Sequence, residues 1–111
     1  MTIDQLESDL KARKFKPIYL LHGDEPFFLD QAEELFDQYV LQDHEKSFNL
    51  TLAYGKDVDA RQIKDSCSRF PMMAEYQLII VREAQDMKDL AELAPYATNP
   101  VPSTILVLVH K

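Results

Sequence analysis

The chain has 111 residues, 46% hydrophobic and 28% charged, which suits one globular domain and excludes a disordered tail. Its formal charge of −7 repels phosphate backbones, so the surface as a whole is a poor match for nucleic acid. No run approaches the ~20 apolar residues that cross a bilayer, and the first ten residues alternate polar and apolar without the pattern of a secretory signal.

Thr2 followed by Gln5 reads as a capping box, and Ile3, Leu6 and Leu10 fall at helical spacing, so a first helix is expected to about Arg13. Lys11, Arg13, Lys14 and Lys16 cluster at its end, where cations complement the helix dipole. Residues 17–22, Pro-Ile-Tyr-Leu-Leu-His, form an apolar run of the kind found in strands buried on both faces. The turn Gly23-Asp24-Glu25-Pro26 follows, with an acid to cap the next helix and a proline in its first turn. Phe28, Leu29, Ala32, Leu35, Phe36, Tyr39 and Val40 then line one helical face.

Residues 47–54 alternate Phe48, Leu50 and Leu52 and read as a strand. Asp59 is placed to cap a helix with Ile63, Cys67 and Phe70 as its buried stripe, ended by Pro71. Residues 77–82 are a third strand. Met87, Leu90, Leu93 and Ala94 suggest a helix closed by Pro95 or by Asn99-Pro100, and residues 104–109 are a fourth strand. Alternating helices and strands imply right-handed crossovers and a mostly parallel sheet of about four strands with flanking helices, in an α/β fold. The expected organisation is a single domain over 1–111, truncated at its last strand and belonging to a longer chain.

A strand, a glycine-led turn and a helix is where a phosphate-binding loop sits. Gly23, Asp24, Glu25 and Pro26 occupy that place without the lysine, the second glycine or the Ser/Thr that the chemistry requires. Pro26 has no N–H to donate, and Asp24 and Glu25 set like charge against phosphate. In an ATPase of this kind the third strand ends in an acid that holds Mg²⁺. Here Arg82 stands in that place and Glu83 in the next, which is also how a polar strand end would look. Cys67 is the one cysteine, which excludes an internal disulfide and a cysteine-rich zinc site and fits a reducing compartment. His22, His44 and His110 are far apart in sequence and lack ligand spacing. Met72 and Met73 follow Pro71 directly; from the residues alone they either fill gaps in the core or serve an adaptable binding surface.

Residues 17–31, Pro-Ile-Tyr-Leu-Leu-His-Gly-Asp-Glu-Pro-Phe-Phe-Leu-Asp-Gln, resemble the opening motif of the DNA polymerase III delta subunit family. The likeness continues through residues 70–81 to the last strand and covers essentially the whole chain. It implies a P-loop NTPase-like domain of the AAA+ type that binds no ATP, needs no cofactor and is not catalytic. It also implies a cytoplasmic role in the replicative clamp loader: binding the sliding clamp and helping to open it. Phe70, Pro71, Met72 and Met73 match the clamp-binding element, with Met72 and Met73 at the two wedge places where relatives often carry Leu and Phe. The other loader subunits are implied partners, and DNA is met through the full assembly, with Lys11, Arg13, Lys14 and Lys16 as candidate contacts here. The alternatives are a divergent nucleotide-binding P-loop ATPase and a flavodoxin-like or receiver domain; for a receiver, Arg82 stands where an aspartate is needed.

Overall fold

A computed structural model describes residues 2–23 and 26–110, without the side chain of Pro26. The helices are α1 (Ile3–Lys11), α2 (Pro26–Tyr39), α3 (Lys46–Asn49), α4 (Ala60–Cys67) and α5 (Ala94–Thr98). The strands are β1 (Ile18–His22), β2 (Leu50–Tyr54), β3 (Gln77–Arg82) and β4 (Thr104–His110), with short 3₁₀ turns between elements. The sheet order is β1-β4-β3-β2 and every pairing is parallel.

The last strand is therefore central. It pairs with β1 on one side and β3 on the other, and its residues 104–109 are buried. Period-two alternation sends its side chains to two cores. Ile105, Val107 and Val109 join Leu78, Ile80, Tyr19 and Leu21 under α1 and α2. Leu106 and Leu108 join Ile79 and Val81 under α4 and the 84–96 segment. At about 1.5–3 kcal/mol per fully buried large aliphatic side chain, these two layers supply the main driving force for folding.

Several local expectations hold. The Thr2 hydroxyl accepts the Gln5 N–H at 3.1 Å, and Asp59 and Gln62 complete a reciprocal capping box on α4. The proposed acid cap of α2 falls on Asp24 and Glu25, outside the described residues.

Others are corrected. Strand β1 is an edge: Tyr19 and Leu21 are buried, but Leu20 is 58% exposed, so the run at 17–22 is not covered on both faces. Strand β2 begins at Leu50, not Ser47, because Lys46–Asn49 coil into α3; Phe48 and Leu52, expected on the inner face, are exposed. Helix α4 ends at Cys67, well before Pro71, and Phe70 leaves the buried stripe. Pro95 opens α5 rather than closing a helix, since its fixed φ suits a first turn; Asn99 caps the end. The outer face of β1 continues into an open apolar groove formed by Ile18, Leu20, Leu93, Tyr96, Leu106 and Leu108.

The turns that follow β2 and β3 touch closely at Gly55. A Cβ there would lie 2.2 Å from the Glu83 carbonyl oxygen and 3.1 Å from the Met87 nitrogen, both backbone atoms. Gly55→Ala is expected to cost about 1–3 kcal/mol, as overpacking against backbone does, read as a lower urea midpoint.

Candidate interaction site

The segment between α4 and β3, residues 68–76, carries Phe70, Pro71, Met72 and Met73 at the amino-terminal end of the sheet. Phe70 is 80% exposed, Met72 59% and Met73 94%. Neither methionine fills the core. Met73 has φ +58°, a left-handed conformation that costs a non-glycine residue roughly 1–2 kcal/mol. Large apolar groups in a row on an exposed turn are unusual for a monomeric surface and mark interaction sites.

The turn is anchored by buried polar groups. Asn49, at the end of α3, is 3% exposed. Its Nδ2 donates to the Met72 carbonyl and to the Glu45 carbonyl, each at 2.9 Å, and its Oδ1 accepts the Met72 N–H at 2.8 Å. Gln77 opens β3, in register with Thr104 of β4. Its Nε2 donates to Thr104 Oγ1 and to the Arg69 carbonyl, both at 2.8 Å, with the Ser66 carbonyl at 3.0 Å. Thr104 Oγ1 in turn donates to the Cys67 carbonyl at 2.7 Å. Carbonyls at and just beyond the end of α4 are thus met by side chains of the sheet. Tyr76 closes the segment, its ring edge-on to Phe15 at 5.0 Å.

The opposite end of the sheet carries the other expected site. Gly23 follows β1 there, and Asp24 and Glu25 lie outside the described residues. Arg82 Nε donates to Glu33 Oε1 of α2 at 2.7 Å, and its Nη1 donates to the Tyr54 hydroxyl at 3.3 Å. The Glu33 bond comes first among the interactions that raise the Arg82 pKa above its ordinary value. Glu83 has φ +52° and serves the turn beside Gly55.

The basic cluster at the end of α1 is partly committed elsewhere. Arg13 Nη1 donates to the Tyr39 carbonyl at the end of α2 at 3.1 Å and lies over the Phe15 ring, while Lys11 lies over Tyr39. Lys14 and Lys16 are exposed. His22 and His110, distant in sequence, are register partners across β1 and β4, but no group of three or more potential metal ligands exists among the described residues. Nor does any described helix have the length and apolarity to cross a membrane.

Sequence reasoning missed Asn49 and Gln77, which read as ordinary polar residues. It also missed Phe48, exposed on α3 beside Asn49. An asparagine immediately before an apolar strand was the only signal for the first.

A parallel β1-β4-β3-β2 sheet with helices on both faces defines a P-loop NTPase-like α/β domain of the AAA+ type. The family model described as DNA polymerase III, delta subunit, matches residues 19–111, and the chain belongs to that family. It is 28% identical over 110 residues to DNA polymerase III subunit delta of Bacillus subtilis (strain 168), covering 90% of this chain and 32% of that protein. The solved Bacillus subtilis DNA clamp loader delta protein superposes with a TM-score of 0.87 at 25% identity, over 98% of this chain and 35% of that one. A DNA polymerase III gamma subunit-related protein of Thermotoga maritima shares the fold, with a TM-score of 0.72 at 16% identity over 100% of this chain and 40% of that one. The chain thus spans about a third of the length of the delta relatives.

Cys67 lies on the buried face of α4, and burial pushes its thiol pKa up to about 11. A thiol so protonated is a poor nucleophile. Cys67 is expected to react with a thiol reagent only as fast as the chain opens, so its modification rate should rise with urea in step with unfolding. Fast modification of the native chain would contradict a purely structural thiol.

Proposed function

We propose that the chain is a non-catalytic module of a bacterial, cytoplasmic clamp loader, and that Phe70, Pro71, Met72 and Met73 dock into an apolar pocket of the sliding clamp and help to open it. The observation that carries this reading is the exposure of Phe70, Met72 and Met73 together on one anchored turn. Methionine, flexible and polarisable, adapts to irregular pockets, and a few anchors carry most of the energy of such an interface. Family membership supports the setting: other loader subunits would flank the domain, and DNA would be met by the assembly. Of the basic residues named for DNA, Lys14 and Lys16 stay free of the contacts that hold Arg13 and Lys11.

The residues at the carboxy-terminal end of the sheet do not fit nucleotide and magnesium. A fixed guanidinium at Arg82 stands where a metal-binding carboxylate would be needed, and it ties up Glu33. No lysine lies within residues 17–45 to meet an outer phosphate, and Pro26 lacks an N–H. On this reading the site is degenerate, and nucleotide has no part in the clamp contact.

Calorimetric titration against the cognate clamp tests the reading. The parent chain should bind, and the Met72→Ala, Met73→Ala double variant should bind roughly a hundredfold more weakly, about 3 kcal/mol. Equal binding by both would move the contact elsewhere. Failure of the folded parent to bind, with saturable uptake of ATP and Mg²⁺, would favour the divergent ATPase instead.

Met73→Gly separates function from stability. It relieves the left-handed backbone and should leave stability unchanged or raise it by up to about 1 kcal/mol, while weakening clamp binding. A clear loss of stability would mean that the Met73 side chain supports the fold.

A further inference from the structure

We infer that Asn49 is the positioning residue of the apolar turn: it fixes the Met72 peptide so that Met72 and Met73 project before any partner arrives. The inference rests on the clamp-binding reading for its functional consequence, but not for its geometry.

Three observations carry it. First, the Asn49 amide makes three of its four possible bonds, with both donors and the oxygen engaged within 2.9 Å of their partners. It holds both the N–H and the C=O of Met72, the pairing that a strand neighbour would supply, although no strand is present there. Second, the amide is buried while the backbone it grips carries two exposed methionines. A buried amide whose nitrogen must donate to two carbonyls and whose oxygen must accept an N–H has one orientation, so the grip is rigid. Third, the peptide after Met72 leads directly into the left-handed Met73, a conformation a free turn would leave.

The energetic logic is pre-organisation. An unanchored turn would pay the ordering entropy of each backbone residue on binding. The clasp meets that cost within the folded domain. Aspartate cannot substitute: a carboxylate would face the Glu45 and Met72 carbonyls with no hydrogen to offer.

The test uses the chain with Asn49→Ala, Asn49→Asp and Met73→Ala, read two ways. In the free protein, amide hydrogen exchange by NMR should show Met72 protected in the parent. Protection should fall about tenfold or more in Asn49→Ala, the worth of one net hydrogen bond, with Leu78 and Ile80 unchanged. In clamp titrations, Asn49→Ala and Asn49→Asp should each bind about tenfold more weakly than the parent. In the Met73→Ala background the Asn49→Ala loss should shrink below about threefold, because both act on one contact.

A loss that stays fully additive would mean that Asn49 acts through general stability, and it would overturn the inference. So would parent-like binding by Asn49→Ala while the double methionine variant fails. If the parent binds no clamp, the functional reading falls by itself; the exchange data then still decide whether the clasp exists.

Discussion

Both cores close on a single strand. β4 enters between β1 and β3, and neither of those can pair with the other while it is there. Its inner residues alternate between the layer under α1 and α2 and the layer under α4. Its register also sets the site. Gln77 meets Thr104 because β3 and β4 start level, and that pair gathers the carbonyls at the end of α4. Asn49 stands one residue before β2, at the same end, within reach of Met72. The apolar turn is thus a product of strand alignment, fixed where β2, β3 and β4 begin.

That alignment separates two sites that share the fold. Ligands of open parallel sheets gather beyond the carboxyl ends of the strands. Gly23 and Arg82 lie there, and the Arg82–Glu33 pair ties strand to helix with side chains alone. The apolar turn lies at the opposite end, a strand length or about 17–20 Å away. A domain built this way can keep the architecture of an ATPase while an apolar turn at its other end varies independently of phosphate chemistry.

Much of the fold was legible because burial leaves a periodic trace. The long face of α2, the Asp59 cap and the apolar runs of β3 and β4 all predicted their elements. The errors share a cause: a short apolar pattern does not say what lies outside it. The run at 17–22 looks like a strand covered on both sides, yet it pairs along one edge only, and its second face is covered in part at Ile18 and left open at Leu20. Phe48, Leu50 and Leu52 alternate like an inner strand face, but the edge position of β2 leaves Leu52 in solvent, and Phe48 sits on a helical turn. Phe70 follows Ile63 and Cys67 at helical spacing; tertiary bonds from Gln77 to the end of α4 override that periodicity. The apolar turn itself was legible through family likeness, and its exposure bears on the two options that the residues left open. Its anchors were not legible, since a buried asparagine and a surface asparagine are the same letter.

The apolar groove along β1 has a colloidal consequence. Ile18 and Leu20 line it on an edge strand whose outward backbone groups invite another strand. The shared charge of −7 opposes such pairing, and it vanishes near the isoelectric point of about 4.8. Salt shortens the reach of that repulsion to roughly 8 Å at physiological ionic strength. Mild acid and high salt therefore act in one direction: both weaken the repulsion that opposes edge-to-edge pairing.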